Sequence, residues 1–179
     1  SPFGWYVGAD RRDPDRHQLV LSLGGIGLPD RDYYLLDTEQ YENVRSEYVA
    51  HIERMLGFAG MDGAAAKAEA VLALETAIAE NLWPRADRRN RDLTFNPMTY
   101  AEFVAEYPGL DWNAYWRAAG IDTVTDLNVS YPSAMAPVIA LLDSIPVEDW
   151  VSYMSYQHIS NLAGVLSQEI DDENFHFYS

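Results

Sequence analysis

The chain has 179 residues and carries 12 Lys and Arg against 28 Asp and Glu, a formal net charge of −16 with a sequence pI of about 4.4. That balance excludes an unaided nucleic-acid binder and attraction to an anionic membrane surface, because both depend on Lys and Arg. A composition of 48% hydrophobic and 13% aromatic residues excludes a disordered chain, and the lack of Cys excludes disulfides and thiolate chemistry.

The length predicts one domain. The longest mostly apolar run, Met135 to Leu142, contains Pro137 and falls far short of the roughly 20 residues of a membrane helix. Ser1-Pro2-Phe3-Gly4-Trp5 lacks Met, a basic start and an apolar leader, so the chain is expected to be cut from within a longer protein.

In chain order, Phe3 to Val7 and Gln18 to Leu23 read as extended, joined by the charged turn Asp10 to Arg16, and predict a small hairpin. Gly24-Gly25-Ile26-Gly27-Leu28-Pro29 is expected to be a fixed loop. From Asp37 the period becomes helical. Tyr41, Val44, Tyr48, Ile52, Met55 and Ala59 form one face, with Asp37 or Thr38 as the start and Gly60 as the stop. An alanine-rich helix follows Asp62, with Val71, Leu74, Ile78 and Leu82 on one stripe before Trp83-Pro84, and the two are predicted to form an antiparallel pair.

Thr99 and Glu102 form a capping-box signature for a helix ending before Pro108, and Asp111 caps another that runs to Gly120. Leu127 to Tyr131 reads as a short extended link. Ser133 to Ser144 is helical, and a last helix from Pro146 is predicted to reach Glu169, burying Val147, Val151, Met154, His158, Leu162 and Val165. The fold class expected is all-α, a set of helical hairpins and a bundle with a small N-terminal extended hairpin.

Candidate chemistry is sparse. His17, His51, His158 and His176 are too scattered for His-Glu-x-x-His or any other local zinc spacing, and His158 is expected to be a core imidazole. Neither a Gly-x-Ser-x-Gly elbow nor a phosphate loop is present. Arg85, Arg88, Arg89 and Arg91 could form an anion site, though an internal ion-pair network is the expectation. Asp10, Asp13 and Asp15, like Asp171, Asp172 and Glu173, could attract calcium, but neither set has EF-hand spacing and both read as solvated charge. Glu75 stands out, because it lies on the apolar stripe of its helix. It could be a general acid or base of raised pKa; the expected reading is a buried structural ion pair with an arginine of the 85–91 stretch.

Several segments together resemble one family. Gly25-Ile26-Gly27-Leu28-Pro29-Asp30-Arg31-Asp32-Tyr33-Tyr34 is similar to a distinctive segment of the neprilysin and endothelin-converting-enzyme family of zinc metallopeptidases. Val71 to Ala79 with Trp83, Asn96-Pro97-Met98-Thr99, Pro108-Gly109-Leu110-Asp111-Trp112, and Leu166 to Glu169 with Asn174-Phe175 continue the likeness in order. The resemblance implies that residues 1–179 are a single segment of the N-terminal helical, cavity-capping lobe of a larger two-lobed peptidase. The zinc, its His-Glu-x-x-His and Glu-Asn-x-x-Asp helices and the catalytic Glu would belong to the catalytic lobe, and neither motif is in this sequence. Glu42-Asn43, Glu80-Asn81 and Asn113-Ala114-Tyr115 echo family motifs without matching their places. Leu23 stands where the family usually has Gln, and the missing cysteines imply a bacterial member, acting in the periplasm or otherwise outside the cytoplasm.

The expected function is therefore that of a non-catalytic, substrate-gating part of a zinc-dependent endopeptidase or oligopeptidase. Zinc and the peptide substrate engage the parent protein, the missing catalytic lobe is the partner, and the segment alone is inactive and self-associates. The alternative is a free-standing acidic helical module that binds a peptide or protein through exposed Trp and Tyr residues.

Overall fold

The computed structural model describes every residue from Ser1 to Ser179, and the chain divides into two compact units. The elements in order are β1 (Phe3–Ala9), β2 (His17–Leu23), α1 (Asp32–Leu35), α2 (Glu39–Phe58), α3 (Ala64–Asn81), α4 (Arg85–Arg88), β3 (Pro97–Thr99), α5 (Tyr100–Glu106), α6 (Trp112–Ala118), β4 (Asp126–Val129), α7 (Pro132–Ser144), α8 (Val147–Leu162) and α9 (Gln168–Tyr178).

The first unit comprises Ser1, Gly25 to Glu80 and Ser144 to Ser179. Thr38 caps α2 by accepting from Tyr41 N, and Gly60 follows its end at φ 74°, a left-handed conformation that costs glycine nothing. The buried face of α2 is Tyr48, His51, Ile52, Met55 and Leu56. Its main neighbours are α9 and α8, so the antiparallel α2–α3 pair expected from the sequence is not the chief packing of this helix. The last helix also differs from expectation. α8 ends at Leu162, a 3-10 turn spans Ala163–Val165, and α9 starts afresh at Gln168.

The phase of α8 is reversed as well. Ser152, Tyr153 and Tyr156 are buried, whereas Val147 (72%), Val151 (55%) and Met154 (45%) are exposed, and so is His158. Tyrosines carry large apolar area with a hydroxyl that still needs a partner, so a helix can face its core with Tyr and leave its aliphatic residues outside.

The second unit comprises Pro2 to Gly24 and Asn81 to Asp143, and it corrects the all-α expectation. A four-stranded mixed sheet runs in the order β1-β2-β4-β3, with β1 and β3 antiparallel to their neighbours and β2 parallel to β4. Strand makes up 12% of the chain against 58% helix. The β1–β2 hairpin stands as expected, Phe3 opposite Leu23 and Ala9 opposite His17. The segment read as an extended link overlaps β4, an inner strand with Leu127 and Val129 fully buried. A four-residue strand carries little local signal, and its pairing with β2 spans more than a hundred residues of chain. The Thr99 capping box and the Asp111 cap form as the sequence indicates, Glu102 N on Thr99 Oγ1 at 3.3 Å and Ala114 N on Asp111 Oδ1 at 2.9 Å.

Candidate functional site

Glu75 is carried by α3 and is fully buried. Its Oε2 accepts from the Gly27 backbone N–H (3.0 Å), the Tyr34 hydroxyl (2.6 Å) and the Tyr48 hydroxyl (2.9 Å), while Oε1 accepts from Gln157 Nε2 (2.7 Å). All four donors are neutral. The arginine partner expected from the sequence is not among them, because local order on the chain says nothing about which polar groups the fold delivers to a buried carboxylate. Glycine loop, α1, α2 and α8 each supply one donor instead.

Tyrosine hydroxyls also fix the loop that precedes α1. Leu28 N donates to the Tyr34 hydroxyl at 2.9 Å, and Tyr153 donates its hydroxyl hydrogen to Gly25 O at 2.7 Å. Gly25 lies at φ 82°, and a Cβ at Gly27 would land on the Tyr48 hydroxyl, so the loop needs glycine at both places for different reasons. Burial pushes the Glu75 carboxyl above its ordinary value, outweighing the four hydrogen bonds that favour the charged form. Burial, followed by the nearby Glu75 charge, raises the Tyr34 and Tyr48 hydroxyls too. A carboxyl of raised pKa is a chemical resource, but here both oxygens are engaged by the protein itself, leaving no room for a substrate proton.

A second polar cluster ties α9 to α2. His51 Nδ1 lies 2.9 Å from Glu173 Oε1, and Arg54 Nη2 donates to the same oxygen at 2.7 Å. Phe177 stacks on the His51 ring at 4.5 Å between centroids. Burial lowers the His51 pKa more than Glu173 raises it. For Glu173, burial works upward and is outweighed by Arg54 and His51, which hold the carboxyl below its ordinary value.

The other residues singled out by sequence fall apart in space or into local roles. Asp10 is buried and accepts from Arg12 N at 2.9 Å, Asp13 accepts from Asp15 N, and Glu173 belongs to the α2–α9 pair. His158 is exposed on α8, which corrects the core-imidazole expectation. Arg85, Arg89 and Arg91 have no carboxylate within ion-pair reach, so the expected arginine network does not form around them; the ion pairs involve Arg12, Arg16, Arg45 and Arg54. Asn113 Oδ1 accepts from the Tyr100 hydroxyl at 2.9 Å. Sequence reading missed Tyr34, Tyr48, Gln157 and the His51–Glu173 contact. The available signals were Tyr48 on the stripe of α2 and the paired Tyr33-Tyr34 after the glycine loop.

No group of three or more His, Asp or Glu side chains comes together in a way that could hold a metal ion. His51 already spends Nδ1 on Glu173. The donor set of this chain does not fit zinc.

Against known proteins, the sequence profile of peptidase family M13 fits residues 1–179. Endothelin-converting enzyme 1 of Rattus norvegicus is 27% identical over 184 residues, covering 99% of this chain and 24% of that protein. Neprilysin-3 of Drosophila melanogaster is 29% identical over 119 residues, covering 65% of this chain and 15% of that protein. Zinc metalloprotease Zmp1 of Mycobacterium tuberculosis in its open state superposes with a TM-score of 0.92 at 34% identity, over 100% of this chain and 28% of Zmp1. The chain thus spans less than a third of the length of each of these relatives.

Proposed function

Since the chain belongs to peptidase family M13, fitting its N-terminal profile from end to end, we propose that it is a non-catalytic, substrate-gating part of a zinc-dependent peptidase acting on peptides outside the cytoplasm. The observation that carries this is the superposition of the whole chain on a zinc metalloprotease at 34% identity while covering 28% of that enzyme. A piece of that size, with no metal-holding group of its own, supplies shape to an active site built elsewhere.

Zinc, when bound by such a peptidase, polarises the scissile carbonyl and activates water. Residues of this chain perform neither step. Glu75 and its four donors hold the glycine loop rigid, and the Glu173 contacts hold α9 on α2, so the contribution is a surface of fixed form. No helix of the chain is long and apolar enough to cross a membrane.

The test is the natural coding sequence together with a peptide-cleavage assay. A His-Glu-x-x-His motif downstream and chelator-sensitive hydrolysis by the whole protein are expected. A chain that ends at Ser179 and binds peptides without cutting them would overturn the reading in favour of a free-standing binding module.

A further inference from the structure

The contact between α2 and α9 is built around an imidazole that holds a hydrogen on one nitrogen and has no acceptor for a second. His51 is fully buried. Its Nδ1 lies 2.9 Å from Glu173 Oε1, the oxygen to which Arg54 Nη2 also donates at 2.7 Å. An ionised carboxylate only accepts, so Nδ1 bears the hydrogen and Nε2 is the bare nitrogen of a neutral ring. Nε2 is buried and has no hydrogen-bond partner.

Three helices surround the ring. α2 supplies Tyr48 and Arg54, α8 supplies Tyr156, and α9 supplies Glu173, Phe177 and Tyr178. The hydroxyls among them are committed, Tyr48 to Glu75 Oε2 and Tyr156 and Tyr178 to each other at 3.2 Å. Glu173 already neutralises Arg54. A proton on Nε2 would therefore put a second cation on one shielded carboxylate and create an N–H with no acceptor, two costs that act in the same direction.

The element free to respond is α9. α8 ends at Leu162, and the Ala163–Val165 turn and the extended Ser167 separate it from α9, so α9 can leave α2 without a break in α8. At its far end Tyr178 donates to Gly27 O at 3.3 Å. We propose that His51 is an acid-sensitive latch: α9 stays docked on α2 while the ring is neutral, and protonation of the ring releases α9 together with its Tyr178 bond to the glycine loop. Burial, the largest influence, sets the docked ring below its ordinary 6.5; Glu173 opposes it and Arg54 adds to it. A ring freed by release returns to about 6.5 and binds the proton more tightly, so docking is complete above that pH and is lost as pH falls below it. The latch goes beyond the gating role and stands without it, since the movement of a helix rather than hydrolysis is read.

Hydrogen exchange of the chain at about pH 7.5 and about pH 5, corrected for intrinsic rates, tests it together with the NMR titration of the His51 ring. Amides of α9 are expected to lose at least about threefold in protection at the lower pH while those of α3 do not, and His51 should titrate below 6.5. His51→Phe and His51→Gln take up no proton in this range and should abolish the acid loss. His176→Gln, on the exposed side of α9, should leave it in place. Unchanged α9 protection in the wild type, a His51 titration at or above 6.5, an acid loss that persists in a folded His51→Phe or His51→Gln protein, or one abolished by His176→Gln would each overturn the latch.

Discussion

A glutamate with four neutral donors behaves differently from one paired with arginine, and Glu75 makes the difference measurable. Glu75→Ala strands the Gly27 N–H, two tyrosine hydroxyls and the Gln157 amide in the interior, a loss expected at about 3 kcal/mol by chemical denaturation. Glu75→Gln keeps the shape and removes a buried charge, so it should stay within about 1 kcal/mol of wild type at neutral pH. The pH dependence has a definite sign. The folded pKa of Glu75 is raised above its ordinary 4.5, so the folded state holds the proton more tightly than the unfolded one. Its contribution is therefore complete below that value and is lost as pH rises through the folded pKa. Stability of Glu75→Gln relative to wild type should accordingly climb from acid to neutral pH, and urea midpoints that keep a constant difference would refute it. Burial of Glu75 is legible in the sequence as a carboxylate on an apolar stripe. Its partners are not, because they come from four separate stretches of chain.

Among the elements, α8 and α9 show how an amphipathic pattern can be read in the wrong phase. Aliphatic residues mark Val147, Val151, Met154 and Val165 as a stripe, yet the core side is held by Tyr153 and Tyr156. Val151→Ser should thus change stability by less than about 0.5 kcal/mol, whereas Tyr156→Ala, at a position 1% exposed, should cost about 3 kcal/mol or more. Thermal melts of the two variants decide it, and a large loss for Val151→Ser would restore the original phase. α9 depends on Glu173 and on Phe177 stacked against His51. Phe177→Ala is expected to remove about 1–2 kcal/mol, read from the urea midpoint; no change would mean that α9 is held by other contacts. The capped helix starts were easier to read, since Thr99 with Glu102, Asp111 and Thr38 act within one turn of the residue that signals them.

For the whole molecule, a charge of −16 opposes association while Val147, Val165 (80% exposed) and Phe175 (72% exposed) favour it. Raising salt screens the first and leaves the second, so light scattering of the chain should show a mass that grows with ionic strength; a constant monomer mass would show that these side chains are tolerated singly in water. What the sequence by itself determined is what depends on near neighbours and on composition: the acidic character, the capped helices, the β1–β2 hairpin and the succession of motifs that marks the family. Tertiary structure alone decided the mixed sheet, in which β4 joins a hairpin more than a hundred residues earlier, and the neutral cage around Glu75. The physical reason is the same for both. Strand pairing and the satisfaction of buried polar groups are settled by whichever distant backbone or side chain the packed fold brings within about 3 Å, and a linear pattern contains no record of that distance.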